Sequence, residues 1–338
     1  MSTTPVRPTT ILIQPKDAAP KAPPAPSMKV FLELAFRPLY LAGTSWALVA
    51  IALWIYTPGL LTAPLGGLAW HAHEMLWGFI ATIAFAFMMT AGANWTGITP
   101  MAGKVLALAC VLWVVARIGF LLPFEAAFWL AMAAELSFFL LGSGAMLRAV
   151  AVSKNSRNYA MPVFLAGLAA TDALYLLTAR GGDYLLLMQR FNAGLVVMAL
   201  IALLIGRRVI PFFAMRAVHG LTLPTQMKTG WVQLGACTVG VVSLLAGIPM
   251  LSAAALGLAG TLALVQIISW KPLAVRGNAL LWILYVGYSS IGIGLLMAAL
   301  QYAGVDLPRV LPVHTIAMAG FSVMIIGMVT RTALGHTG

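Results

Sequence analysis

The sequence predicts an all-α, polytopic membrane protein with about ten spanning helices and a cytoplasmic amino terminus. Of its 338 residues, 62% are hydrophobic and only 8% are charged, whereas soluble domains carry about a quarter charged residues. Apolar runs repeatedly reach the roughly 20 residues needed to cross a hydrocarbon core about 30 Å thick. The placement of Lys and Arg between these runs then orients the helices.

Residues 1–27 precede the first apolar run and contain seven prolines. Segments of this composition cannot bury enough apolar surface to fold, so we expect a disordered cytoplasmic tail followed by a transmembrane domain over residues 28–338. The tail has no apolar stretch of the kind found in a cleaved signal peptide. The ten predicted spans are 39–56, 72–93, 105–122, 125–149, 159–178, 193–213, 231–249, 252–270, 278–300 and 311–331. Very short turns around Pro123 and Pro249 predict two antiparallel hairpins.

Lys and Arg are distributed unevenly between the two ends of these spans. With the amino terminus in the cytoplasm, 16 of the 20 fall on the cytoplasmic side, Arg117 lies within a span, and only Arg180, Arg190 and Arg309 lie on the other side. Cytoplasmic loops carry the excess of positive charge in membrane proteins, so this orientation is the predicted one. The net charge of +12 thus reflects topology, and the expected partner is the lipid bilayer rather than nucleic acid.

The stretch Trp70-His71-Ala72-His73-Glu74-Met75 places three ionisable groups at the start of the second span. Such groups are costly within a membrane and usually mark functional sites. The predicted orientation brings His314, in the first turn of the tenth span, to the same depth. We therefore predict a site near the outer face that is built on His71, His73 and His314.

The residue types in this site suit a metal. Neutral imidazole, which the amino-terminal end of a helix favours over imidazolium, binds copper and haem iron. Met75 and Met318 each follow a histidine by four positions and so share its helix face. Histidine with methionine is a recognised ligand set for soft metals and haem. Glu74 is placed to orient an imidazole as a carboxylate partner.

Several alternatives stay open for the histidines. Positions two apart on a regular helix point about 200° apart, so His71 and His73 serve one centre only if the helix is unwound between them. Otherwise they face two different sites, or one of them faces the headgroups. The alternative without a ligand role is that both histidines lie in the headgroup region, within an aromatic belt that includes Trp70.

Three further ionisable residues within predicted spans are candidates for a functional role. Glu135, the deepest carboxylate, predicts a proton relay or an interhelical hydrogen bond. Arg117 and Asp172 fall in the outer halves of their spans, and we expect them to pair with each other. Alternatively, Arg117 holds an anionic group such as a haem propionate. Cys110 and Cys237 lie within apolar segments, which predicts packing roles rather than a disulfide.

The stretch Trp70-His71-Ala72-His73-Glu74-Met75-Leu76-Trp77-Gly78-Phe79, followed by Asn94-Trp95-Thr96-Gly97, resembles the signature of the NnrS family of bacterial membrane proteins. Supporting motifs follow in order over about residues 36–338: Phe36-Arg37-Pro38-Leu39, Gly206-Arg207-Arg208-Val209-Ile210-Pro211, the stretch 281–288, and Leu334-Gly335-His336-Thr337-Gly338.

The resemblance implies a multi-helix protein of the bacterial inner membrane, associated with haem, copper and the response to nitric oxide. The family's histidines match His71, His73, His314 and His336. Family members commonly carry histidine where this chain has Tyr285. They also usually continue for two more helices beyond the closing motif, so the chain is expected to lack those two.

Three functions stay open from the sequence. The leading one is a haem- and copper-binding protein that handles nitric oxide or nitrosative stress, as an oxidoreductase or without turnover. Three histidines at one depth are too few for a site of two haems and one copper, which favours a non-oxidase. The second is a secondary transporter or efflux protein in which Glu135, Asp172, Arg117 and the histidines carry protons or an anion. The third is a factor that inserts or repairs a metal cofactor.

Overall fold

A computed structural model describes residues 27–62, 64–224 and 227–337. Apart from its last residue, the predicted tail at 1–27 lies outside the described residues, and so does the side chain of His336. Within the described ranges the chain is a bundle of helices without β-strands, which confirms the predicted all-α class.

The ten predicted spans correspond one to one to ten long helices. They are α1 (Phe36–Tyr56), α2 (residues 67–96), α3 (Gly103–Gly119), α4 (Glu125–Ser153), α5 (Ala160–Ala179), α6 (Tyr184–Ala217), α7 (Met227–Leu245), α8 (Pro249–Ser269), α9 (Ala279–Tyr302) and α10 (residues 310–337). Eight of them are long and apolar enough to cross a membrane. The other two, α3 and α7, have 17 and 19 residues.

Local sequence sets several helix ends and turns. Gly97 ends α2 with a φ of 72°, a left-handed conformation that glycine adopts without steric cost. Pro249 opens α8 at its first position, where its fixed φ suits a helix and its missing N–H is not needed. The two predicted hairpins are confirmed, because α3 packs against α4 and α7 packs against α8.

The helices α2 and α10 are widened in the same way. In α2, a regular helix over Gly67–His73 passes into a π-helical segment, Glu74–Ala81, and returns to regular helix over Thr82–Thr96. In α10 the corresponding parts are Val310–His314, Thr315–Ser322 and Val323–Thr337. Among the described residues these are the two π segments, and each begins directly after a histidine. Such segments occur frequently at functional sites.

Hydroxyl groups close both π segments. Thr82 donates to the carbonyl oxygen of Trp77 at 3.1 Å, and Ser322 donates to that of Ala317 at 3.0 Å. Each bond spans five residues, as the wider turn requires, and satisfies a carbonyl oxygen that lies within the bundle.

The central spans of the bundle are α6 and α2, which are the most deeply buried of the long helices. The two π segments pack against each other, so α2 contacts α10 as well as α1. Farther along the chain, α3 packs on α4 and α4 packs on α5. One face of α2 thus turns towards α10 and another towards α3, α4 and α5, which creates two separate places for polar side chains.

Candidate metal and ion sites

The structure places His71 and His73 in different surroundings. They belong to the regular helix Gly67–His73, in which positions two apart point to nearly opposite sides. His73 is completely buried. His71 is partly exposed, and its ring stacks on Trp54 with 4.8 Å between centroids. The helix is not unwound between the two histidines, so they face separate sites.

His314 lies on the side of α2 that carries His71. The π segments that follow on from the two histidines, Glu74–Ala81 and Thr315–Ser322, pack against each other, which places both imidazoles in the same part of the bundle. The Nδ1 atom of His314 lies 2.9 Å from the carbonyl oxygen of Val310. Because a carbonyl can only accept a hydrogen bond, Nδ1 carries the proton and Nε2 keeps its lone pair for a ligand. His71 contributes a second nitrogen, since its Nδ1 is buried without a hydrogen-bond partner.

Two methionines follow these histidines by one turn. Met75 is partly buried, and Met318 is 61% exposed at the surface of the chain. Both belong to the π segments, so their helical face differs from the one a regular helix would give. Each sulfur donor follows its histidine by four positions along the same helix.

His73 belongs to a different group, which we call the α2–α5 ion cluster: His73 and Glu74 of α2, Arg117 of α3, Glu135 of α4 and Asp172 of α5. Every member is at most 2% exposed. Five ionisable groups from four helices thus meet inside the bundle, where an unpaired charge would be very costly.

Both ring nitrogens of His73 face carboxylate oxygens. Nδ1 lies 3.0 Å from Oε1 of Glu74. Nε2 lies 3.0 Å from Oδ1 of Asp172 and 3.2 Å from Oε2 of Glu135. Three carboxylates therefore surround one imidazole at hydrogen-bonding distance.

Arg117 bridges two of these carboxylates. Its Nη1 pairs with Oε2 of Glu74, and its Nη2 pairs with Oε1 of Glu135. The indole N–H of Trp46 also donates to Oε2 of Glu74, at 2.6 Å. The guanidinium lies 5.8 Å from the ring of Trp113, within the range of a cation–π interaction.

The predicted pair of Arg117 with Asp172 is wrong. Asp172 contacts His73, whereas Arg117 contacts Glu74 and Glu135. The reason is the packing order, since α4 contacts both α3 and α5 and brings Glu135 up to Arg117. Of the two expectations for Glu135, the interhelical contact is the one that the structure contains.

Aromatic rings enclose His73. The ring centroid of Phe120 lies 4.8 Å away in an edge arrangement, and those of Trp77 and Tyr175 lie 5.5 and 6.1 Å away. Trp77 and Tyr175 are held by hydrogen bonds to the carbonyl oxygens of Leu168 and Ala69. These rings keep water from the cluster, which strengthens its electrostatic interactions.

Gly78 makes room for the cluster on α2. A Cβ atom at this position would collide with Nη1 of Arg117 and lie 2.6 Å from Oε2 of Glu74. Glycine thus lets the guanidinium lie directly against the helix backbone. The sequence alone gave no reason to place this residue in the site.

The charges within the cluster do not balance. Three carboxylates and one guanidinium leave a net charge of −2 when His73 is neutral. Oδ2 of Asp172 is buried and has no hydrogen-bond partner. One ligand atom from each of His73, Glu135 and Asp172 lies within 4.8 Å of the others. The cluster can hold additional protons or a cation.

Other residues singled out from the sequence lie apart from both sites. The hydroxyl of Tyr285 donates to the carbonyl oxygen of Trp270 at 3.0 Å, and His219 is exposed in a loop. Cys110 and Cys237 are both free thiols. The grouping of Glu135 and Asp172 with His73 was missed from the sequence, although their neighbouring spans and overlapping depths were a usable signal.

The comparison with protein families gives one match. The family model described as NnrS protein matches residues 30–338, nearly the whole chain. No curated protein and no solved structure matches the chain significantly.

Proposed function

We propose, from the premise that this chain belongs to the NnrS family, that it is an inner-membrane protein that binds haem and copper in the bacterial response to nitric oxide. The observation that supports the proposal is the packing of α2 on α10 through the two π segments, which begin near His71 and directly after His314. The multi-pass helical bundle supports the membrane location.

The donor chemistry of this pair fits a haem iron. Imidazole is a common axial haem ligand, and Nε2 of His314 has its lone pair available because Nδ1 is bonded to a carbonyl oxygen. His71 carries a buried nitrogen that lacks a partner, and Trp54 fixes the plane of its ring. The two rings come from different helices, and both would supply an imidazole nitrogen to hold the haem iron.

The same neighbourhood fits copper. Imidazole and thioether donors suit copper better than oxygen-binding metals, and Met75 and Met318 follow the two histidines by one helical turn. When bound, haem iron or copper supplies a redox-active centre with affinity for nitric oxide. The residues of this chain would bind and orient the metal, and Trp54 would shield one face of His71.

We assign His73, Glu74 and Arg117 to a different role, although sequence position also made them candidate ligands. Both nitrogens of His73 face carboxylates within 3.2 Å. The Arg117 guanidinium is occupied by Glu74 and Glu135, which leaves it unsuited to a haem propionate. These residues support the α2–α5 ion cluster next to the haem and copper ligands.

Purified full-length protein tests the proposal directly. After expression with haem and copper supplied, we expect a Soret band and protein-bound copper by elemental analysis. His71→Ala and His314→Ala should each abolish the Soret band. The matched control, His219→Ala, removes an exposed loop histidine and should retain it. A wild-type protein without haem and copper, or variants that all keep the haem, would overturn the assignment.

A nitric-oxide electrode measures whether the haem-loaded protein consumes nitric oxide. This measurement distinguishes an enzyme from a non-catalytic protein. Turnover that disappears in His314→Ala would establish an oxidoreductase. Binding without turnover would establish a sensor, carrier or cofactor-handling protein.

A transporter is the second candidate, and the α2–α5 ion cluster favours it. Buried ionisable groups in membrane helices frequently form proton or anion pathways. Proteoliposomes with an internal pH indicator would show proton uptake by this route. We expect Asp172→Asn to lose proton uptake and His314→Ala to retain it. This result would support transport over haem chemistry.

A further inference from the structure

We propose that the α2–α5 ion cluster is a second metal site, in which Nε2 of His73, Oε2 of Glu135 and Oδ1 of Asp172 bind one divalent first-row cation. This site is distinct from the His71 and His314 pair and does not depend on haem or copper binding there. The proposal rests on the direction of the donor atoms, their spacing, their support and the charge of the cluster.

The contacts of His73 need a proton or a metal ion between the ring and one of its carboxylate neighbours. Neutral imidazole has one N–H donor and one acceptor nitrogen. Here Nδ1 and Nε2 both face carboxylate oxygens, which only accept when ionised. A neutral ring would therefore direct one lone pair at a carboxylate. A proton or a metal ion on that nitrogen removes the conflict, and Nε2, with two carboxylates nearby, is the nitrogen placed to bind the metal.

The spacing of the donor atoms matches a coordination shell. Donors bound to one ion at about 2.1 Å lie about 3.0 Å apart in an octahedron and about 3.4 Å apart in a tetrahedron. Nε2 of His73 lies 3.0 Å from Oδ1 of Asp172 and 3.2 Å from Oε2 of Glu135. The remaining carboxylate-to-carboxylate separation is at most 4.8 Å, so an inward movement of one carboxylate would bring all three donors to this spacing.

Two of the three donors are oriented by a second contact. Glu74 lies at Nδ1 of His73, which directs Nε2 towards the centre. Arg117 holds Oε1 of Glu135, which directs Oε2 there. Carboxylate–histidine–metal arrangements of this kind fix the tautomer and orientation of metal-binding imidazoles. Arg117 and Trp46 in turn hold Glu74.

A divalent cation also balances the charge. With neutral His73, the three carboxylates and Arg117 sum to −2, and a charge of +2 brings the cluster to zero. Neutrality is strongly favoured where every member is at most 2% exposed. The unpartnered Oδ2 of Asp172, which is completely buried, offers a further oxygen to the same ion.

The donor set indicates the class of metal. One imidazole with two carboxylates suits manganese, iron(II) or zinc, whereas copper(I) prefers thioether and thiolate donors. The ion cluster would thus bind a hard-to-borderline cation. The donors for a soft metal would be His71, His314 and the methionines.

Manganese provides the probe, because bound Mn²⁺ loses the sharp electron paramagnetic resonance signal of the free ion. Full-length protein in detergent is stripped with a chelator and titrated with Mn²⁺. We expect one bound Mn²⁺ per chain. Asp172→Asn and Glu135→Gln should each weaken binding at least tenfold, roughly the effect of losing one ligand or its orienting partner.

Glu125→Gln is the matched control, since Glu125 is an exposed carboxylate paired with Arg180, and it should bind Mn²⁺ like the wild type. His71→Ala should lose haem and retain Mn²⁺, while Asp172→Asn should show the reverse. Failure of this site and failure of the proposed haem site are therefore distinguishable.

Each variant is used only if it elutes as a single species on size exclusion; if Asp172→Asn aggregates, His73→Gln replaces it. The proposal would be overturned if the wild-type protein bound no more Mn²⁺ than a denatured sample does. Unchanged affinity in the cluster variants would do the same. Either result would indicate that protons, rather than a metal ion, balance the charge of the cluster.

Discussion

Nε2 of His73 lies 3.0 Å from Oδ1 of Asp172, a contact between residues 99 positions apart in the chain. It joins α2 to α5, and Glu135 of α4 lies beside it at 3.2 Å from the same nitrogen. One imidazole thus ties three helices together in the interior of the bundle. The stability of this region depends on complete pairing, because a buried charge left alone is costly.

Arg117→Met should strongly destabilise the protein. It removes the cation that neutralises Glu74 and Glu135 and leaves both carboxylates buried. Breaking a buried ion pair in this way costs about 3–5 kcal/mol. The control Arg180→Met breaks an exposed pair with Glu125, for which a cost of about 0–1 kcal/mol is typical. Unfolding in detergent, followed by circular dichroism, measures both, and equal losses would contradict the pairing.

Trp46→Phe should destabilise the cluster through Glu74. The substitution keeps an aromatic ring but removes the N–H that donates to Oε2 of Glu74 at 2.6 Å. Loss of a buried hydrogen bond to a charged group costs about 1.5–3 kcal/mol. Trp129→Phe removes an equivalent bond to exposed Glu125 and should leave the unfolding midpoint nearly unchanged. The prediction fails if the two variants unfold alike.

Gly78→Ala should displace the Arg117 guanidinium, because the added Cβ would collide with Nη1. Overpacking of this kind costs about 1–3 kcal/mol. Gly144→Ala meets no atom within 4 Å and should be neutral or stabilising, since alanine is favoured over glycine in a helix by up to about 1 kcal/mol. Thermal unfolding of the two variants compares these effects directly, and a Gly78→Ala variant as stable as Gly144→Ala would exclude the close contact.

Met318→Leu should lower the affinity for copper roughly tenfold and leave haem binding intact, because leucine keeps the apolar volume but lacks the thioether donor. Met75→Leu should act in the same direction. Copper content by elemental analysis and the height of the Soret band give the two readouts. A matched methionine from another part of the bundle, Met250, is 67% exposed, and Met250→Leu should change neither. Loss of haem together with copper would show that the methionine shapes the haem site instead.

The number and order of the helices follow from the sequence. Apolar runs, prolines and glycines mark where each helix lies, as Gly97 and Pro249 illustrate. The shared depth of His71 and His314 stays a prediction from membrane topology, which assigns the start of each span a depth. The separate surroundings of His71 and His73 follow from a helical spacing of two residues.

Only the tertiary structure decided which charged residues meet. Arg117, Glu135 and Asp172 lie on three helices that are apolar on most of their surface, so the sequence does not define how each helix is rotated about its axis. The packing of α4 between α3 and α5 sets that rotation. It brings Glu135 into contact with Arg117 and Asp172 into contact with His73. A side chain's depth is a local property of its span, whereas its partner depends on how neighbouring helices pack.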